Sequence, residues 1–207
     1  MLTRNKENKR KGDTLVEVLF ATAIFSLVAV GGLAIMNQGA AAAQRALEIT
    51  LVRQQVDAQA ETLRFLNASY VAAFRPGVSS YPNTPADEWH LIQAVAPIDA
   101  NISSLNNCNP DANPNSFILN THTAKFVSPT GLGKPTQSKT FSQVVYNGDN
   151  LLSSNGIWIE AISSIASGNI NQAKSGYIDF NIRACWDSPG QSVPVTIGTI
   201  VRLYEPR

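Results

Sequence analysis

Apolar side chains fall along the chain in stretches of different periodicity. From Leu15 to Met36 they lie on every side, and Glu17 is the only ionisable residue. A pattern with no polar face predicts a helix surrounded by an apolar medium. These 22 residues rise by about 1.5 Å each and reach roughly 33 Å, the thickness of one hydrocarbon core. Between Ala40 and Phe74 there is no proline, and the apolar positions narrow to one face. Leu47, Leu51, Leu63, Leu66, Tyr70 and Phe74 are mostly three or four apart. Arg53 with Asp57, and Glu61 with Arg64, are spaced to pair along the surface. Arg75-Pro76-Gly77 ends the pattern, because proline cannot continue a helix and glycine favours its exit. The two patterns join without a break, predicting one helix over about 13–74. Residues 13–36 are its apolar part and 37–75 its amphipathic part and exit. Gly31-Gly32 is its weakest point, at about 1 kcal/mol per glycine relative to alanine.

The period changes after the helix. Residues 76–135 hold eight of the eleven prolines, with many Asn and Ser, and read as loop-rich with ordered pieces near Trp89–Val95 and Phe117–Val127. Phe141–Tyr146, Gly156–Ile162, Gly176–Trp186 and Val193–Tyr204 are β-rich runs. Asn147-Gly148-Asp149-Asn150 and Asp187-Ser188-Pro189-Gly190 suit the connections between them. Ile178, Phe180, Ile182 and Ala184 alternate with Tyr177, Asp179, Asn181 and Arg183, giving one apolar and one mostly polar side. The expected fold class is α+β: a long N-terminal helix packed on a C-terminal antiparallel sheet, with residues 76–207 as a β-rich globular domain.

Charge adds a direction. Arg4, Lys6, Lys9, Arg10 and Lys11 stand against Glu7 in residues 1–12, while the rest of the chain holds fourteen acidic and eleven basic side chains. The basic excess is therefore N-terminal, and the body gives no argument for binding nucleic acid. Basic residues precede the apolar run and the next one is Arg45, which predicts a single pass with the N-terminus in the cytoplasm and the remainder outside. The run is longer than the core of a cleaved signal peptide and flows into a helical pattern rather than a turn. Cys108 and Cys185 are the two cysteines. In an oxidising compartment they read as a disulfide adding about 2–4 kcal/mol; two buried free thiols are the alternative. A zinc site is disfavoured by the lack of C-x-x-C and of ligand spacing to His90 or His122.

No catalytic constellation is present, and neither a cofactor nor a metal is expected. The chain lacks G-x-S-x-G, H-E-x-x-H and a dinucleotide fingerprint. Gly131-Leu132-Gly133-Lys134 resembles the tail of a phosphate loop, but Ser128 replaces its first glycine and Pro135 its magnesium-binding hydroxyl. Asp87-Glu88-Trp89-His90 offers acid/base groups, yet adjacent residues do not face one another, and a helix start with an aromatic anchor explains them. Asn147, Asp149 and Asn150 are possible calcium donors, although turns use these residues for backbone reasons.

A basic leader ending in Gly12, then Asp13-Thr14-Leu15-Val16-Glu17-Val18-Leu19 opening a long apolar helix, resembles the type IV pilin family, pseudopilins included. The resemblance covers Gly12 to about Met36 and the general plan to Phe74. It implies a leader peptide of residues 1–12, cleavage by a prepilin peptidase between Gly12 and Asp13, and N-methylation of Asp13. It further implies that Glu17 attracts the N-terminal amine of a neighbouring subunit during filament assembly. The partners implied are other pilin subunits, the prepilin peptidase and an inner-membrane assembly platform. The location implied is the cytoplasmic membrane, then a filament outside the cell. Asp13 departs from the apolar residue usual after the glycine. Its carboxylate can partly neutralise the adjacent amine, which suits a minor subunit, and it also suits the positive end of a helix dipole. Pilus biogenesis, DNA uptake and protein secretion are all compatible. A signal-anchored binding or enzyme domain that never polymerises is the reading from a different class.

Overall fold

The computed structural model describes residues 13–78, 81–96, 108, 110, 115–128, 133–138, 140–164 and 176–206. The leader, Gly12, the side chain of Asp13, and Gly131 and Leu132 of the phosphate-loop likeness lie outside the described residues. Helix α1 spans Asp13–Ala73, within one residue of the expected end. The chain divides into two compact units, Met1–Gln44 and Arg45–Arg207.

In the first unit, every side chain from Thr14 to Ala40 is exposed, including all the large apolar ones from Leu15 to Met36. By length and composition this helix can span a membrane. The hydroxyl groups of Thr22 and Ser26 are satisfied locally: Thr22 Oγ1 donates to the Val18 carbonyl at 3.0 Å and Ser26 Oγ to that of Thr22 at 2.8 Å. Such back-bonding leaves no polar hydrogen facing an apolar surrounding. The helix runs through Gly31 and Gly32, and a Cβ at either would meet nothing within 4 Å.

The second unit is α+β. Its helix α2 covers Pro85–Val95 and its strands are β1 (Ile118–Asn120), β2 (Lys125–Val127), β3 (Pro135–Thr136), β4 (Gln143–Asn147), β5 (Asn150–Asn155), β6 (Ile157–Ser163), β7 (Tyr177–Trp186) and β8 (Val195–Tyr204). They form sheets ordered β1-β2, β3-β5-β4 and β6-β7-β8. All pairings are antiparallel except the two-residue parallel contact of β3 with β5. Asn147 pairs with Asn150 across the expected turn, and β7 with β8 across the expected connection.

The α1 portion from Glu48 onward buries Glu48, Val52, Val56, Gln59, Ala60, Leu63, Leu66 and Tyr70 against the inner sheet face. Burial of each large apolar side chain here stabilises by about 1.5–3 kcal/mol. This corrects the face expected from sequence. Leu63, Leu66 and Tyr70 lie in it, but Leu47 and Leu51 are exposed, each one residue off a stripe that runs 48, 52, 56, 59, 63, 66, 70. Glu61 pairs with Arg64, whereas no ion pair joins Arg53 to Asp57 among the described residues.

Ile178, Phe180, Ile182 and Ala184 of β7 are buried, as their alternation predicts. The opposite side differs from expectation: Asn181, Arg183 and Cys185 are buried too, and only Tyr177 and Asp179 are partly exposed. Near the start of β6, Gly156 adopts φ +68° where three segments meet. Its N–H donates to Thr136 O at 2.7 Å and its carbonyl accepts from Cys185 N at 2.8 Å. Ser142 Oγ reaches both the Gly156 and Cys185 carbonyls, at 3.1 and 3.0 Å.

Candidate functional site

Glu17 lies one turn into α1, exposed, within an otherwise non-ionisable stretch from Leu15 to Met36. Asp13 begins the helix, where its backbone belongs to the positive end of the dipole. A carboxylate on an apolar helix has a physical demand attached: at the centre of a bilayer it costs about 2.5–3.5 kcal/mol, less near the end of the span. An opposite charge brought against it in a low-dielectric setting recovers that cost.

Cys108 and Cys185 form a disulfide, with Cα atoms 5.5 Å apart, inside the usual range. It anchors the proline-rich segment to β7. Alongside it, Trp158 Nε1 donates to Glu160 Oε1 at 2.7 Å, and Arg183 Nη1 lies 3.4 Å from the same oxygen. The guanidinium also stands over the Trp158 ring, 5.8 Å from its centroid. Glu160 and Arg183 are each only 2% exposed, so their pairing is a core element rather than a surface one.

The other groups singled out in the sequence serve the architecture. Thr84 and Pro85 start α2, Trp89 enters the core, and Glu88 accepts the Phe126 N–H at 2.8 Å. His90 Nδ1 faces Gln93 Oε1 at 2.8 Å, and Gln93 Nε2 donates to Glu205. Glu88 and His90 are therefore engaged with different partners. His122 stacks on Tyr146 at 4.0 Å, Asn120 Nδ2 donates to Asp149 O at 2.7 Å, and His122 Nδ1 lies 3.2 Å from Gly148 O. These contacts tie the β1–β2 turn to the β4–β5 turn that contains Asn147, Asp149 and Asn150. Among the described residues no group of three His, Cys, Asp or Glu side chains is placed to hold a metal.

Polar residues on the helix carry more structure than their sequence spacing suggests. Gln59 Nε2 donates to Leu119 O at 2.8 Å and Gln59 Oε1 accepts from Leu119 N at 3.0 Å. Gln55 Oε1 accepts from Val144 N at 2.6 Å. Glu48 accepts from Trp186 Nε1 at 3.1 Å and Ser188 Oγ at 2.7 Å. The available sequence signal was their spacing of three, four and seven in register with Val52 and Val56. No family model, curated protein or solved structure matches the chain.

Proposed function

We propose that this chain is a type IV pilin-like subunit of the minor kind, structural rather than enzymatic. It is inserted in the cytoplasmic membrane with its N-terminus inside, cleaved after Gly12, and built into a pilus or pseudopilus through α1. The reading rests on one feature: Glu17 is the only ionisable group from Leu15 to Met36 in an uninterrupted helix whose continuation supplies the core face of an α+β unit. Assembly then satisfies Glu17, because the amine freed at Asp13 in one subunit is the opposite charge that the carboxylate of the next subunit lacks in an apolar medium. The disulfide fits a domain outside the cytoplasm.

The test is co-expression with a prepilin peptidase and determination of the mature N-terminus by mass spectrometry. A chain beginning at Asp13 is expected. An intact Met1, or a cut near residue 40, overturns the reading and favours a signal-anchored domain that does not polymerise.

A further inference from the structure

The dipeptide Asn-Gly occurs twice in the chain, at Asn147-Gly148 and at Asn155-Gly156. In this pair the glycine nitrogen can attack the asparagine carboxamide carbon, because no Cβ stands beside the nitrogen to obstruct the approach. The fold places the two copies in opposite surroundings.

Asn155-Gly156 is locked. The Gly156 N–H donates to Thr136 O at 2.7 Å, so the attacking nitrogen is engaged. Thr136 Oγ1 donates to Asn155 Oδ1 at 3.2 Å, so the carboxamide is tied to β3 as well. Gly156 is buried, with Cys185 O, Ser142 Oγ and Ser138 Cβ all crowding the position a Cβ would take. The peptide has no room to turn into a five-membered ring.

Asn147-Gly148 is open. Asn147 pairs with Asn150 at the end of the β4–β5 hairpin, leaving Gly148 and Asp149 as the turn, and all four residues are exposed. The turn is held through its carbonyls: Gly148 O by His122 Nδ1 at 3.2 Å and Asp149 O by Asn120 Nδ2 at 2.7 Å. Neither the Gly148 N–H nor the Asn147 carboxamide is hydrogen-bonded among the described residues. A Cβ at Gly148 would meet nothing within 4 Å, so the peptide has space to rotate.

We infer that Asn147 is a site of spontaneous deamidation in the folded protein, and that the fold protects Asn155 from the same reaction. Solvent base takes the Gly148 N–H proton and the nitrogen attacks Asn147 Cγ. A C–N bond forms, the Cγ–Nδ2 bond breaks, and the amide nitrogen leaves as ammonia with a proton from water. One water then opens the cyclic imide. Cleavage at Cγ gives aspartate; cleavage at the main-chain carbonyl gives isoaspartate, with the chain running on through the side chain. The balance is carboxamide plus water to carboxyl plus ammonia, with no change of oxidation state. Either product adds a carboxylate close to Asp149. The isoaspartate also lengthens the backbone between the paired ends of β4 and β5, which draws the turn carbonyls away from His122 and Asn120. None of this depends on the pilin reading.

The experiment incubates the full-length chain, in membranes, in mildly alkaline heavy-oxygen water. Digestion in ordinary water and tandem mass spectrometry then separate label fixed at position 147 from label fixed at 155. Over days, position 147 is expected to take up heavy oxygen as aspartate and isoaspartate, at least about tenfold faster than position 155, whose two hydrogen bonds must break first. In the urea-unfolded chain the two positions should react at similar rates. Gly148→Ala should slow position 147 by about tenfold, since its Cβ stands beside the attacking nitrogen. Three results would overturn the inference: no label at 147 in folded chain while unfolded chain reacts, equal rates at 147 and 155 in folded chain, or an undiminished rate in Gly148→Ala.

Discussion

Gln59 of α1 and Leu119 of β1 close a two-bond clasp in which one carboxamide both donates to and accepts from a single residue's backbone. Both residues are buried, at 1% and 0% exposure, so water cannot replace either bond. Gln59→Leu keeps the bulk but strands a peptide N–H and a C=O, at a cost of about 1–3 kcal/mol for each group. A matching fall in the denaturant midpoint is expected, read from the fluorescence of the three buried tryptophans of the second unit. Gln59→Glu should also destabilise, because a carboxylate cannot donate to the Leu119 carbonyl.

The Glu160–Arg183 pair should show strong coupling. Arg183→Met alone leaves a buried carboxylate facing Trp158 and is expected to cost about 3–5 kcal/mol, whereas Glu160→Met together with Arg183→Met should recover most of that loss. A double-mutant cycle in urea measures the difference. Independent, additive losses would show that the two side chains do not act as a unit.

Gly156→Ala is expected to be among the most damaging single substitutions. The added Cβ would lie 2.5 Å from Cys185 O, 2.6 Å from Ser142 Oγ and 2.7 Å from Ser138 Cβ, on a backbone with φ +68°. The nearest atom is a backbone carbonyl in the β7 ladder and cannot rotate away. Loss of folded protein, or a drop of more than about 3 kcal/mol, is the expected result. Gly148→Ala, with φ +58° but nothing within 4 Å, should be milder.

Alkaline pH should loosen the junction of α1 and α2. Burial raises the Tyr70 phenol above its ordinary 10.0; the hydrogen bond to Gln93 opposes this and the Glu205 carboxylate adds to it. A raised pKa in the folded state means the fold favours the neutral phenol. That contribution is fully present below pH 10.0 and is lost as pH climbs through the folded value. Midpoints of wild type and Tyr70→Phe should therefore diverge less at alkaline pH than near neutrality, as wild type alone loses this contribution.

Glu17→Ala should be inserted and cleaved normally yet fail to enter filaments, if a neighbouring amine is what this carboxylate awaits. Fractionation of membrane and sheared surface material separates the two outcomes. Normal incorporation would remove Glu17 from assembly.

Periodicity located α1 to within a residue at its end, and strands β4, β6, β7 and β8, because side chains buried on one face impose a spacing that survives in the sequence. It misplaced the start of the helix's buried face because Leu47 and Leu51 are apolar but exposed, while the true stripe there begins with Glu48. Polar side chains that bond strand backbones, such as Gln55 and Gln59, look like solvent-facing residues until the strand is known. Strand β5, Asn-Leu-Leu-Ser-Ser-Asn, has too little alternation to announce itself; its Ser154 is buried through a hydrogen bond to Ile157 O at 2.6 Å. Asn181 and Arg183 kept the expected alternation but not the expected exposure, since a pattern tells which side a residue takes and not what later covers that side. The cysteine pair was legible because a lone pair of thiols has few physical explanations.

The bonds that Glu48, Gln55, Gln59 and Asn67 make from one helix to β7 and its flank, β4, β1 and β8 have a mechanical consequence. A pull along the axis of α1 does not peel the sheet away one contact at a time. It shears several widely spaced side-chain anchors together, so the load is shared and the weakest anchor does not set the yield point. A domain built this way should bear tension along its helix without unravelling, and single-molecule stretching of Gln55→Ala, Gln59→Ala chains would show the yield force fall.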